Sequence, residues 1–317
     1  MSSPRTTSSP FTKVVVAAMR QLYPEKLADS SFDNTGLLLE APHRPGHLNN
    51  SALLTIDLTK AVADEAIARK DSIIISYHPI IFRGLKSLTL DNTQQTSLLR
   101  LAQEGISVYS PHTALDAAPD GLNSWLVSVV IGKFSPETCI VRYNSKTIHP
   151  IKDLSTLPEQ FSEAGYGQIV TFSSSQSLGS IIRRIMKALD VRNLSVAVPQ
   201  NVPRGNRSSI RIKSIGICAG SGGSMLNGLD VDLLFTGELS HHEALAAIEA
   251  GRCVITAFHS NSERGFLKHM KQDLENAVAK ELNQPADLED NDAKRFNIDI
   301  SKIDSDPFDM ITDIDKF

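Results

Sequence analysis

Imidazole and carboxylate side chains follow the apolar runs of this sequence, each time where a run ends. These groups are Tyr77–His78, His112 with Asp116, Glu238 with His241 and His242, and His259 with Glu263. Histidine and carboxylates are the residues that bind transition-metal ions or transfer protons. In open α/β sheets, ligands bind at the carboxyl ends of the strands, so we expect a functional site there.

The pair His259 and Glu263 is the strongest of these signals. The residues that follow form an amphipathic helix, and Glu263 stands four before Leu267 and seven before Met270, on the apolar face. A carboxylate on such a face is costly unless a cation meets it. An ordinary alternative is a capping box, with Ser260 as N-cap and Glu263 as its partner. The two readings remain open from the sequence.

The other candidates also have structural alternatives. Asp116 lies in a loop rich in Asp, Pro and Gly, where it could cap a helix or form a turn. His112 alone is typical of a packing histidine or of one that orients a ligand. His78 alone is typical of a buried histidine bonded to the backbone, and adjacent His241 and His242 open a helix and cannot both face one ion.

A glycine-rich stretch, CAGSGGSM, follows another apolar run at 214–220. Backbone N–H groups in such a turn can hold an anion. The stretch lacks the third glycine of a dinucleotide fingerprint, because Met225 occupies that position. It leaves open a nucleotide-binding module that works without metal.

Composition limits the class of protein. The chain has 317 residues, 41% of them hydrophobic and 21% charged, and a formal net charge of −4. This balance gives no support to nucleic-acid binding. The absence of CxxC pairs and the apolar neighbours of Cys139, Cys218 and Cys253 indicate reduced, packed thiols in an intracellular protein. No apolar stretch approaches the ~20 residues of a membrane span.

Alternating strand and helix patterns must position the candidate residues, and they predict an α/β sheet with parallel pairs. Strands are predicted at 51–57, 72–76, 106–110, 214–220, 231–237, 253–259 and 296–304, and helices at 11–23, 60–70, 96–105 and 178–189.

The predicted organisation has two lobes. We expect a flexible arm over 1–10, a first lobe over 11–130 and a second lobe over 131–317 that includes the last strand. Serine-rich 173–177, 199–209 and acidic 281–295 are predicted loops.

The sequence resembles the NIF-three-like family, also called the type 2 GTP cyclohydrolase I family. The matching segments, in family order, are FDNTGLLLE (32–40), SYHPIIFRGLKSL (76–88), VYSPHTALDAAPDGLN (108–123), GICAGSGGSM (216–225), DLLFTGELSHHEAL (232–245), HSNSERGF (259–266) and ISKIDSDPF (300–308). The resemblance implies one unit over 11–317, a two-lobed α/β fold with mixed and parallel sheets and a metal-binding cleft between the lobes.

The resemblance also implies the metal ligands His78, Asp116, His259 and Glu263. This sequence has Tyr77 where many bacterial members have the first histidine of a His-His-Pro turn, and a tyrosine at this position resembles the eukaryotic members of the family. A phenol with an ordinary pKa of ~10 is a poor metal ligand, so the ligand set supports one ion better than two.

We therefore expect a divalent cation, Zn, Mn, Fe or Ni, as one or two ions. The leading hypothesis is metal-dependent hydrolase chemistry on a small, nucleotide-like substrate, with GTP cyclohydrolase activity suggested by the family name alone. The alternative is a non-catalytic protein that handles metal or contacts a transcription factor. The resemblance further implies a homo-oligomer, a dimer or a hexamer. We expect a cytoplasmic location, with mitochondria or nucleus as alternatives.

Overall fold

The structure is a computed structural model, and it describes residues 6–134, 141–283 and 295–311. Its strands are β1 (Gly36–Leu39), β2 (Ser51–Thr55), β3 (Ile73–Ser76), β4 (Ser107–Ser110), β5 (Tyr143–Pro150), β6 (Gly165–Ser177), β7 (Ser195–Ala197), β8 (Arg211–Ser221), β9 (Leu233–Glu238), β10 (Cys253–Thr256) and β11 (Asn297–Ile300). Its α-helices are α1 (Pro10–Leu22), α2 (Lys60–Arg69), α3 (Thr93–Glu104), α4 (His112–Ala117), α5 (Leu122–Ile131), α6 (Leu178–Leu189), α7 (Gly223–Leu226), α8 (His241–Glu249), α9 (Asn261–Arg264) and α10 (Leu267–Leu282).

Two compact units make up the chain. The first unit comprises Met1–Leu115 and Leu267–Ser305, and the second comprises Asp116–Phe266 and Asp306–Phe317. The chain therefore leaves the first unit, builds the second, and returns to the first through α10.

The first unit contains a five-stranded sheet in the order β1-β4-β3-β2-β11. Strands β11, β2, β3 and β4 are parallel, and β1 is antiparallel to β4 at one edge. All residues of β2, β3 and β4 are buried, as expected for central parallel strands. The carboxyl ends of the four parallel strands therefore meet at one edge of the sheet.

The second unit contains a six-stranded sheet in the order β5-β6-β8-β9-β10-β7. Strands β8, β9 and β10 are parallel, while β5, β6 and β7 pair antiparallel with their neighbours. This mixture confirms the predicted α/β class with mixed and parallel sheets.

Several predicted elements agree closely with the structure. The helix predicted over 178–189 is α6, with the same bounds. The helix predicted over 96–105 is α3, which ends at Glu104 and is followed by its C-cap Gly105 in a left-handed conformation with a φ of 84°. Local periodicity was sufficient in these elements because their apolar faces are buried against their own unit.

Two segments differ from the sequence prediction. The serine-rich residues 173–177 were predicted as a loop but lie in β6, where β8 pairs with Gln176 and Ser177 after a register shift. Strand pairing outweighs the low β-propensity of serine here. The final strand β11 was assigned to the second lobe over 131–317, whereas it pairs in parallel with β2 of the first unit. Most of the loop predicted over 281–295 lies outside the described residues. Cys139 also lies outside them.

The predicted arm over 1–10 is described only from residue 6. Ser8 and Ser9 are buried, and the Ser9 hydroxyl accepts a hydrogen bond from the Thr12 amide as the N-cap of α1. The Ser8 hydroxyl donates to Glu40 Oε1 at 2.8 Å.

Candidate metal centre

His78 lies just beyond β3, at the carboxyl edge of the first sheet. The amides of Tyr77 and His78 donate to the carbonyls of Thr55 and Ile56, so the parallel pairing with β2 continues past the end of the strand. His78 Nδ1 is 2.9 Å from Asp57 Oδ1. Because a carboxylate only accepts, this contact places the proton on Nδ1, so Nε2 is the nitrogen that would carry a lone pair toward a metal ion.

Tyr77 is the residue that replaces a family histidine, and it is a packing residue in this unit. It is 3% exposed, and its ring centroid lies 4.8 Å from that of His78 and 5.5 Å from that of His112. The His78 and His112 centroids are also 5.5 Å apart. The Tyr77, His78 and His112 rings therefore pack against one another.

His112 occupies a strained position at the start of α4. Its φ is 29°, in the left-handed region that a residue other than glycine rarely adopts. Its Nδ1 is 2.6 Å from Asp33 Oδ1, and the Thr113 amide and Thr35 hydroxyl both donate to Asp33 Oδ2. Such strain persists only where surrounding contacts fix the residue, as they do here.

Asp33 is a functional candidate that the sequence reasoning did not single out. Burial by itself raises its pKa, but the hydrogen bond and charge of His112, together with hydrogen bonds from Thr113 and Thr35, outweigh burial and hold the pKa well below its ordinary value. Asp33 is therefore an ionised carboxylate with a fixed imidazole beside it. It falls in the motif FDNTGLLLE, but its partner is 79 positions away in the chain.

The second unit positions His259 and Glu263. The chain leaves β10, passes Phe258 with a φ of 68°, and presents His259. His259 Nδ1 is 3.0 Å from Glu238 Oε1, and Nε2 is 3.3 Å from Glu263 Oε1. The Glu263 side chain is 1% exposed and that of His259 is 40% exposed, so a buried carboxylate faces an imidazole open to solvent.

The capping alternative for Glu263 is wrong. Ser260 lies at the N-terminus of α9 without a side-chain cap, and its hydroxyl donates to Asp306 Oδ2 at 2.7 Å. The same hydroxyl accepts from Arg264 at 2.8 Å. A complete capping box is instead formed by Ser240 and Glu243 at the start of α8. Glu263 therefore forms no capping box with Ser260, and its carboxylate lies beside His259.

Gly220 closes the site from the carboxyl end of β8. Its φ is 59°, and a Cβ there would lie 2.6 Å from Glu263 Oε1 and 3.0 Å from His259 Nε2. Its amide donates to the Ser262 hydroxyl at 2.9 Å. Only glycine permits both this backbone conformation and the space beside the two donor atoms.

Asp116 lies near the same group within the second unit. Its carbonyl accepts from Asn123 Nδ2 at 3.1 Å. Burial raises the pKa of the Cys218 thiol, and the negative charges of Asp116 and Glu263 raise it further. Two of the predicted carboxylates therefore act on one buried thiol.

The remaining sequence candidates have other surroundings. His241 and His242 are both exposed on α8, and their ring planes are 81° apart. In the glycine-rich stretch, a Cβ on Gly223 would collide with the Glu243 carboxylate. An acidic group already fills this side of the turn, which disfavours an anion there.

The observed features define the class of this protein. It is an α/β protein with two mixed sheets, and histidines and carboxylates stand beyond the carboxyl ends of the parallel strands. None of the helices within the described ranges is long and apolar enough to cross a membrane.

Comparison with known proteins gives the family. The profile described as Duf34/NIF3 (NGG1p interacting factor 3) matches residues 12–289. The chain belongs to this family.

Relatives extend over nearly the whole chain. The protein NIF3 homolog of Schizosaccharomyces pombe is 44% identical over 302 residues, covering 95% of this chain and 96% of that protein. NGG1-interacting factor 3 of Saccharomyces cerevisiae is 38% identical over 268 residues, covering 82% and 88%. A Bacillus cereus protein related to NIF3 has the same fold, with a TM-score of 0.69 at 18% identity, over 94% of this chain and 98% of that one.

Proposed function

We propose that this protein binds a divalent cation through His78, Asp116, His259 and Glu263 and uses it in hydrolase-type chemistry on a small substrate. His78, His259 and Glu263 each offer one ligand atom. The observation that carries the proposal is the approach of the buried Glu263 carboxylate to His259 Nε2 at 3.3 Å, with Gly220 leaving the space beside both atoms.

The donor set suits a transition metal. Two imidazoles with two carboxylates form a mixed nitrogen and oxygen set, which favours Zn, Mn, Fe or Ni over Mg or Ca. Because Tyr77 is a buried packing residue, we propose one ion rather than two.

The protein's own side chains prepare the ligands. Asp57 accepts from Nδ1 of His78, and Glu238 accepts from Nδ1 of His259, so each carboxylate fixes the tautomer and the ring orientation. When bound, such a cation lowers the pKa of a coordinated water to make a nucleophile near neutral pH.

Metal analysis tests the proposal. Elemental analysis of the purified wild type should find about one transition-metal ion per chain, and His259→Ala and Glu263→Gln should each remove most of it. His241→Ala and Glu249→Gln are matched controls, because both residues are exposed on α8 and should leave the content unchanged. Equal metal content in Glu263→Gln and the wild type would refute the site.

A substrate panel tests the reaction. The metal-loaded protein should hydrolyse a member of a panel of nucleoside triphosphates and phosphodiesters, and chelation should abolish the turnover. GTP belongs in the panel because of the family name. GTP binding that survives chelation would instead favour a metal-independent nucleotide module.

A second candidate function is a non-catalytic, metal-binding regulator that contacts a transcription factor. It is favoured by the name of the yeast relative, NGG1-interacting factor 3, which is 38% identical. A metal-replete protein with no turnover across the panel, but with specific capture of a transcription factor that depends on the metal, would support this function over the hydrolase.

We also propose a homo-oligomer, a dimer or a hexamer, in the cytoplasm. Light scattering coupled to size-exclusion chromatography tests the first point, and fractionation of cells with a tagged chain tests the second. A monomeric mass at micromolar concentration would contradict the oligomer.

A further inference from the structure

A basic segment lies in the second unit, away from the candidate ligands in the sequence. Residues 178–214 contain eight Lys and Arg and one Asp, a formal charge of +7, in a chain whose net charge is −4. The remainder of the chain is therefore strongly acidic. The expectation against nucleic-acid binding rested on the net charge of the whole chain, which conceals this basic segment.

Six of these eight cations form exposed pairs on three elements of the segment, which are α6, a 3-10 helix and β8. Arg183 and Lys187 are exposed and one turn apart on α6. Arg204 and Arg207 are exposed in the 3-10 helix at Arg204–Ser209, where residues three apart are eclipsed.

The third pair lies on β8. Arg211 and Lys213 are both exposed, while Ile212 between them is buried. Their side chains are held by backbone carbonyls of β6, Arg211 by Ser175 and Lys213 by Ser173 at 2.7 Å. These contacts fix the chains without neutralising them, since no carboxylate within the described ranges makes an ion pair with either cation.

The three elements are joined directly. A Cβ on Gly179 at the start of α6 would lie 3.1 Å from the Ser208 Cβ and carbonyl of the 3-10 helix. The Leu178 amide donates to the Ile210 carbonyl at 2.9 Å, which ties α6 to the residue before β8. We call the six exposed cations of these elements the basic face; they are Arg183, Lys187, Arg204, Arg207, Arg211 and Lys213.

The chemistry of the basic face selects a phosphate backbone. Guanidinium groups bind phosphate through two parallel hydrogen bonds, and four of the six cations are arginines. Exposed Asn206, Ser208 and Ser209 lie between them and add the donors that commonly contact phosphate oxygens.

An acidic protein partner fits less well. A protein interface has an apolar centre, yet Val196 is the exposed large apolar residue between positions 178 and 214. The segment also lacks Phe, Tyr and Trp, so it offers no ring on which unpaired bases could stack. These features favour a duplex over a single strand.

We infer that the basic face binds the phosphate backbone of a nucleic-acid duplex without reading its sequence. The binding is electrostatic, so it weakens as counterions compete. It is independent of the candidate metal ligands and requires no turnover.

Fluorescence anisotropy of the full chain with a labelled DNA duplex of about 20 base pairs tests this inference. The wild type should bind with a dissociation constant of about 1 to 100 μM, falling steeply in affinity between about 50 and 200 mM salt. Arg204→Ser with Arg207→Ser should weaken binding about tenfold and reduce the slope of log affinity against log salt by roughly two. Arg183→Gln with Lys187→Gln should act similarly, so the inference does not depend on one variant that folds poorly.

Lys13→Ala with Lys268→Ala is the control, because both lysines are exposed in the first unit. It should bind the duplex as the wild type does. Three results would overturn the inference: equal affinity in both basic-face variants and the wild type, an equal loss in the control, or tighter binding to polyglutamate of the same charge than to the duplex. Tighter binding to the single strand of the same length would overturn the choice of duplex.

Discussion

Glu238 Oε1 lies 3.0 Å from Nδ1 of His259, so the carboxylate at the end of β9 orients the imidazole that follows β10. The pair links the carboxyl ends of two adjacent parallel strands. In metal proteins such a carboxylate fixes the ligand tautomer and raises the basicity of the coordinating nitrogen.

Glu238→Ala should therefore weaken metal binding without unfolding the protein. We expect a loss of about 10- to 100-fold in zinc affinity, measured by competition with a chromogenic chelator. The Glu238 side chain is 54% exposed, so the melting temperature should change little. Glu249→Ala is the exposed glutamate control, and an unchanged affinity in Glu238→Ala would show that His259 does not depend on its carboxylate.

Gly220→Ala should cost both stability and metal. A left-handed φ of 59° destabilises an alanine by about 1–2 kcal/mol, and the new Cβ would also press on Glu263 and His259. Gly228→Ala separates the two effects, because Gly228 has a φ of 76° with nothing within 4 Å of a Cβ. Chemical denaturation and metal analysis should show a similar backbone penalty in both variants but metal loss in Gly220→Ala alone. Metal loss in both would point to a general effect on folding.

Asp33→Asn should destabilise the protein in a pH-dependent manner. The pKa of Asp33 is lowered in the folded state, so its stabilisation is complete above the ordinary value of 3.8 and is lost as pH falls through the folded pKa. We expect a loss of about 1–3 kcal/mol at neutral pH, because buried donors lose a charged acceptor. The difference from wild type should shrink below about pH 4.

The control for Asp33 is Asp120→Asn, since Asp120 is exposed. Urea unfolding at several pH values measures both. A difference between Asp33→Asn and wild type that stayed constant down to pH 2 would contradict the role of the ionised carboxylate.

The described cysteines should resist alkylation while the protein is folded. Cys218 and Cys253 are free and buried, and burial raises the pKa of Cys253 to about 11. Because the thiolate is the reactive form, iodoacetamide at pH 7.5 should label both residues slowly in the native state and rapidly in urea. Peptide mapping by mass spectrometry measures this, and fast native labelling of Cys218 would contradict its buried position.

The parallel strands of both sheets were largely predictable, because the sequence patterns that indicate them are local. A continuous apolar strand such as β3, or a helix-ending glycine such as Gly105, can be recognised from a few consecutive residues. The histidines beyond the strands followed from the same pattern, since a strand end is visible in the sequence.

The remaining features depend on partners far apart in the chain. Asp33 acquires its role only through His112, and β11 acquires its place only through β2. The serines of β6 have no apolar pattern, so their strand is set by the neighbouring backbone of β8. Likewise, the Ser260 hydroxyl bonds to Asp306, 46 positions away, instead of capping α9.

The position of β11 bears on how the chain folds during synthesis. Until the residues of β11 emerge from the ribosome, β2 is an unpaired edge of the sheet. All five of its residues, Ser51–Thr55, are buried in the folded protein. The second unit, by contrast, has its whole sheet translated before α10 appears. The second unit can therefore complete its sheet during synthesis before the first unit does, and β2 stays without its neighbour β11 until nearly the whole chain has been made.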